Sequence, residues 1–173
     1  GLDAVKRGKM YINEKCVEIK SPNEAIKHGI SLVPEDRQLE GLVLCRSIKE
    51  NTSIASLMKF PGILINCNEE KYLVGDMIDK LKVKTTGLDQ QVRNLSGGNQ
   101  QKVVLGKWLF AGSEIFIFDE PTRGIDIGAK QEIYRLINTL AKEGGEIIMI
   151  SSEMAEILSL SDRVLVMRGG EAV

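Results

Sequence analysis

The 173 residues carry 23 lysines and arginines against 24 aspartates and glutamates, a formal net charge of −1, and 43% of them are hydrophobic. A chain this long buries roughly 70% of the surface its unfolded form exposes, so it needs neither disulfides nor a metal to fold. The balanced charge excludes partners held by bulk electrostatics, nucleic acid and anionic membrane among them. No apolar run approaches the roughly 18 residues of a membrane span, and the start lacks the charged, apolar and small-residue pattern of a signal peptide, which predicts a soluble, cytosolic chain.

In chain order, the first 20 residues alternate around Met10, Ile12, Val17 and Ile19 with Asn13 and Glu14 between them, which predicts a hairpin. Ser21-Pro22-Asn23-Glu24 reads as a capping box with proline at the first helical position, and Gly29 stops that helix. A strand follows from Ile30 to Val33, ended by Pro34. From Ile48 to about Leu81 the pattern is helical but broken at Pro61 and Gly62. Beyond Arg93, apolar runs of strand length at Ile115–Phe118, Ile147–Ile150 and Val164–Met167 alternate with helical segments, one of which aligns Ile133, Leu136, Ile137, Leu140 and Ala141 on a single face. Uninterrupted apolar strands predict burial on both faces and hence an α/β fold with a mainly parallel sheet. Such sheets bind ligands at the carboxyl ends of their strands. Cys16, Cys45 and Cys67 are too scattered for a disulfide framework or zinc site, and His28 reads as the end of a short helix.

Two constellations carry chemistry. Asp119 and Glu120 follow four apolar residues, the shape of a Walker B strand, in which the first carboxylate holds magnesium through water and the second polarises the attacking water. Acidic residues also end many buried strands without catalytic purpose. Ser96, Gly97 and Gly98 open a helical run with bare backbone N–H groups beside a hydroxyl, which suits a phosphate. Ser96 could equally be a simple N-cap. Val104 and Trp108 read as helix core.

Leu95 to Gln100 resembles the signature motif of ABC ATPases, at a separation from Asp119 and Glu120 that suits the family. Gly124-Ile125-Asp126 resembles the D-loop, Ser151-Ser152-Glu153 stands where the switch histidine follows a strand, and Val33-Pro34-Glu35 takes the place of the Q-loop. Pro34-Glu35-Asp36-Arg37 with Gly41-Leu42, Asn99-Gln100-Gln101-Lys102 and Thr122-Arg123-Gly124-Ile125-Asp126 narrow the likeness to the C-terminal ATPase half of tandem ABC proteins that energise monosaccharide import, with nucleoside importers close behind.

That resemblance implies a P-loop nucleotidase core with a small helical subdomain, divided along the chain as 1–47, 48–94 and 95–173. It implies ATP and Mg2+ as cofactors, Asp119 on the metal through water, Glu120 as general base and Ser152 at the switch-histidine position. Glu35, Asn99, Gln100 and Asp126 would take part in binding the nucleotide, while Ser96, Gly97 and Gly98 would donate to the γ-phosphate across a dimer interface. The implied partners are the N-terminal ATPase half, transmembrane permease subunits contacted by residues 48–81, and indirectly a periplasmic-type sugar-binding protein. The implied location is the cytoplasmic face of a bacterial inner membrane.

Neither Gly8-Lys9-Met10 nor Gly106-Lys107-Trp108 has the serine or threonine and the earlier glycine of a phosphate-cradling loop, which predicts a piece of a longer polypeptide that binds ATP weakly and exposes apolar surface. Two positions depart from the general family pattern. Glu35 replaces a neutral amide, and Ser152 replaces an imidazole, so the resemblance implies slow or no turnover at the site built on this chain's own Walker B. A regulatory nucleotide-binding half is therefore the alternative. An ABC ATPase of DNA repair or translation lacks support, since neither coiled-coil heptads nor a basic stripe is present.

Overall fold

A computed structural model describes residues 1–3, 5, 7–60 and 67–173. Pro61 and Gly62, the expected break in the helical region, lie outside the described residues. The expected hairpin is present as β1 (Met10–Ile12) and β2 (Lys15–Val17), paired antiparallel across Asn13 and Glu14, both with positive φ. Helix α1 (Pro22–Lys27) starts with Pro22 after the Ser21 cap and stops at Gly29, whose φ of +72° a side chain would strain. The capping box is incomplete. Ser21 Oγ accepts the Glu24 N–H, but the Glu24 carboxylate reaches one residue past the cap to the Lys20 N–H at 2.7 Å.

The centre of the molecule is a parallel sheet of β3 (Ile30–Val33), β4 (Ile115–Asp119) and β5 (Glu146–Ile150), with β4 in the middle. Register sets Val33 beside Phe118 and Asp119 beside Ile150. Ser31, Val33, Phe116 and Phe118 are buried on one face, where the two phenylalanine rings stack 6.2 Å apart. The other face is not covered by the described residues, and Leu32, Ile148 and Ile150 are about half exposed. The expectation of strands buried on both faces is thus corrected: an apolar run reports the capacity for burial, and helices pack here on one side only.

A second correction concerns Val164–Met167. Those residues do not join the parallel sheet. Val164, Leu165 and Val166 are exposed; β6 (Met167–Arg168) pairs antiparallel with β7 (Glu171–Ala172), and the Val173 N–H donates to the Val166 carbonyl at 3.0 Å. Gly169 and Gly170, both at positive φ, fold this end into a local hairpin, which satisfies the backbone without a place in the sheet.

Helix α4 (Gly97–Ala111) anchors the packing, with Val103, Val104 and Leu105 at most 2% exposed. Against it lie α2 (Ile48–Ser53), the 3-10 turn Ile54–Lys59, α3 (Cys67–Lys80) and α5 (Ile127–Lys142). Ile48, Val74, Ile78 and Leu81 share one apolar core with Phe116, Phe118, Ile133 and Ile137. The helical region is therefore packed continuously onto the α/β part. A capping box that the sequence reading passed over starts α2: Ser47 Oγ accepts the Glu50 N–H, and Glu50 accepts the Ser47 N–H at 2.8 Å. Burial drives the Lys107 ammonium on α4 down to a pKa of about 8, and its hydrogen-bond acceptor is the Gly41 carbonyl at 2.8 Å.

Candidate functional site

The three parallel strands end together, and the residues that follow them form the candidate site. Asp119 closes β4. Glu120 turns the chain at φ +45°, a left-handed conformation that costs a glutamate energy and persists only when its surroundings enforce it. Those surroundings are specific: the Glu120 N–H donates to the Ile150 carbonyl at 2.9 Å, and Glu120 Oε1 accepts the Ser152 N–H at 2.7 Å. Glu120 and Ser152 are thereby brought together, although through the Ser152 backbone and not its hydroxyl. Among the described residues no side chain pairs with the half-buried Asp119 carboxylate, so the end of the central strand offers oxygens suited to a hydrated divalent cation. No cluster of three or more histidine, cysteine or acidic side chains among the described residues could hold a metal by itself.

After β3, Glu35 forms an ion pair with Arg123, so its negative charge is met by a cation beyond the Walker B turn. Asp36 Oδ1 accepts the N–H groups of Gln38 and Leu39 and starts a short π-helical turn, Arg37–Gly41. Arg37 donates to the Arg123 carbonyl at 2.9 Å and to the Gly124 carbonyl at 3.4 Å. Burial lowers its pKa, opposed by the charge of Asp36. The same guanidinium lies against Gly97, where a Cβ would stand 2.6 Å from Nη2. Arg37 therefore joins the turn after β3, the Arg123–Gly124 segment and the start of α4.

At that start, Ser96 is exposed and its side chain does not cap the helix; its Oγ accepts from Asn99 Nδ2 at 2.9 Å. Asn99 Oδ1 in turn accepts the Lys84 N–H. Gln100 is buried, accepting from Gln38 and donating to the Val92 carbonyl, which takes it away from any binding surface. What remains available to an anion is the Ser96 hydroxyl and the first N–H groups of α4, which have no partner within the helix. Gly98 permits a close helix crossing: a Cβ there would stand 2.7 Å from the Ala129 methyl on α5. Asp126 Oδ1 accepts the Ala129 N–H at 2.9 Å and caps α5. No hydrogen bond among the described residues joins Ser96–Gly98 to Asp119 or Glu120.

Sequence reasoning missed two features. Arg37 was read as a mark of likeness, not as a bridge. Glu156, on α6 (Met154–Leu160), is only 2% exposed and accepts hydrogen bonds from the Thr122 and Ser151 hydroxyls. A lone acid between Ala155 and Ile157 in a short apolar helix was the available signal.

The ABC transporter family model matches residues 1–123. The ribose import ATP-binding protein of Chelativorans sp. is 49% identical over 98% of this chain and 34% of its own length. The xylose import ATP-binding protein of Moorella thermoacetica is 47% identical over 98% of this chain and 34% of its own. The chain thus spans about a third of the length of the curated relatives it matches. Among solved structures, a nucleotide-free ATP-binding cassette from an ABC transporter superposes with a TM-score of 0.80 at 21% identity, covering 97% of this chain and 68% of that one. A dimeric cassette bound to ADP and Pi gives 0.77 at 18% identity, covering 99% and 73%. The fold is that of an ABC cassette, an α/β P-loop NTPase, and the chain belongs to the ABC transporter family.

Proposed function

We propose that this chain is part of the ATP-hydrolysing component of a monosaccharide importer, and specifically of the C-terminal cassette of a tandem polypeptide. The observation that carries the reading is the pair at the end of β4: an Asp119 carboxylate with no side-chain partner among the described residues, beside a Glu120 carboxylate held by the Ser152 N–H. Asp119 would hold a magnesium ion through water, and the ion would supply charge neutralisation at the phosphates. Glu120, fixed through Oε1, would keep Oε2 to take a proton from the attacking water. The ion pair with Arg123 answers the charge that Glu35 would otherwise bring to the phosphates. On this reading Ser96, Gly97 and Gly98 complete the nucleotide site of the N-terminal half, with their donors preorganised toward the transferred group.

Sugar import is supported by the likeness to the ribose and xylose import proteins. No helix among the described residues is long and apolar enough to cross a membrane, which suits a subunit working against separate permease chains at the cytoplasmic face. A catalytically degenerate, regulatory half is the second reading, favoured by the presence of a serine at position 152, where only the backbone touches Glu120. Reconstitution of the full-length protein with its permease and a sugar-binding protein tests the substrate class. ATP-dependent uptake of a pentose or hexose into vesicles is the expected result, and uptake of nucleosides alone would overturn it.

A further inference from the structure

Glu156 is buried without an ion pair among the described residues, a costly arrangement unless its oxygens are occupied. They are occupied by hydroxyls from two separate segments. Thr122 Oγ1 donates to Oε1 at 3.0 Å, and Ser151 Oγ donates to Oε2. Thr122 lies two residues after Glu120, and Ser151 lies one residue before Ser152, whose N–H holds the Glu120 carboxylate. The two anchored residues therefore flank both ends of the Glu120 contact. Ser151 Oγ also accepts the Glu153 N–H at 3.1 Å, which tightens the turn that presents the Ser152 N–H. Around the carboxylate, Lys130 on α5 pairs with Glu153 at 2.5 Å. Thus α5, α6, the segment after β4 and the segment after β5 meet at one acid.

We propose that Glu156 is a positioning residue for Glu120. By receiving the Thr122 and Ser151 hydroxyls it locks the turns after β4 and β5 together, and so holds Glu120 in its left-handed conformation with Oε1 on the Ser152 N–H. The significance of this for hydrolysis rests on the reading of Glu120 as the general base, but the lock itself is a property of the nucleotide-free chain.

Hydrogen exchange in the nucleotide-free full-length protein separates the two. Glu156→Ala should speed exchange of the Glu120 and Ser152 amides by at least about tenfold, equivalent to at least roughly 1.4 kcal/mol, while amides within α5 keep their protection. In a Glu120→Ala background the increment at Ser152 should vanish, because the bond being protected is already gone. Unchanged exchange at Ser152 in Glu156→Ala would overturn the proposal, as would a rise shared equally by α5 or an increment that survives without the Glu120 side chain. Should Glu156→Ala fail to fold, Thr122→Val and Ser151→Ala each remove one hydroxyl and are judged by the same criteria. Because no nucleotide is present, failure here is distinct from failure of the hydrolytic reading.

Discussion

Lys107 offers a quantitative test of the packing. Its ammonium is buried against α4 and the Gly41 turn, with a carbonyl as acceptor and the Trp108 ring 4.7 Å away, and burial brings its pKa from 10.5 to about 8. A depression of that size corresponds to about 3 kcal/mol between the protonation states. Below pH 8 the lysine is charged in both folded and unfolded chains, so the burial penalty is present in full. Between pH 8 and 10.5 the folded chain has released the proton and the unfolded chain has not, so stability rises with pH by about 3 kcal/mol. Lys107→Met removes the titration. It also leaves the Gly41 carbonyl without its donor, a loss of about 1–3 kcal/mol, so the variant should lie near wild type at pH 7. Denaturant unfolding of both proteins from pH 7 to 11 measures the difference, in which other titrating groups cancel. Wild type should gain on the variant as pH rises through this window. A difference that stays constant, or that moves in the variant's favour with rising pH, would refute the argument.

Gly98→Ala forces a methyl to within 2.7 Å of the Ala129 methyl, and should destabilise by about 1–3 kcal/mol in chemical unfolding, with Ala129→Gly restoring much of the loss. Ser47→Ala removes one arm of the α2 capping box and should cost about 1 kcal/mol by the same assay. The 173 residues contain no phosphate-cradling loop pattern and should bind ATP weakly; titration calorimetry that gives micromolar affinity would show that the phosphates are gripped by other groups of this chain.

Much of the fold was legible because its signals are local. The Ile115–Phe118 run, the Ile133-Ile137-Leu140 stripe and the glycine stops each depend on neighbouring residues, and the structure has them as strand, helix and turns. Val164–Met167 was misread because apolar composition does not encode the partner strand, and the Gly169-Gly170 turn supplied a nearer one. At the site, Asp119 and Glu120 could be found from their place after a strand. Gln100 could not be separated from the anion surface by sequence, because its burial depends on Gln38, 62 residues away, and on the Val92 carbonyl, contacts that helical periodicity does not encode. Arg37 and Glu156 were obscured for the same reason: each acts on segments more than 30 residues away.

Single-turnover ATP hydrolysis by the full-length protein carrying Glu120→Gln tests the central claim most directly. The substitution keeps the shape of the side chain and its oxygen for the Ser152 N–H, but removes the proton acceptor. Hydrolysis at this half's site should fall about 100-fold or more while nucleotide still binds. Undiminished turnover would contradict the account and leave this half as a binding and regulatory element.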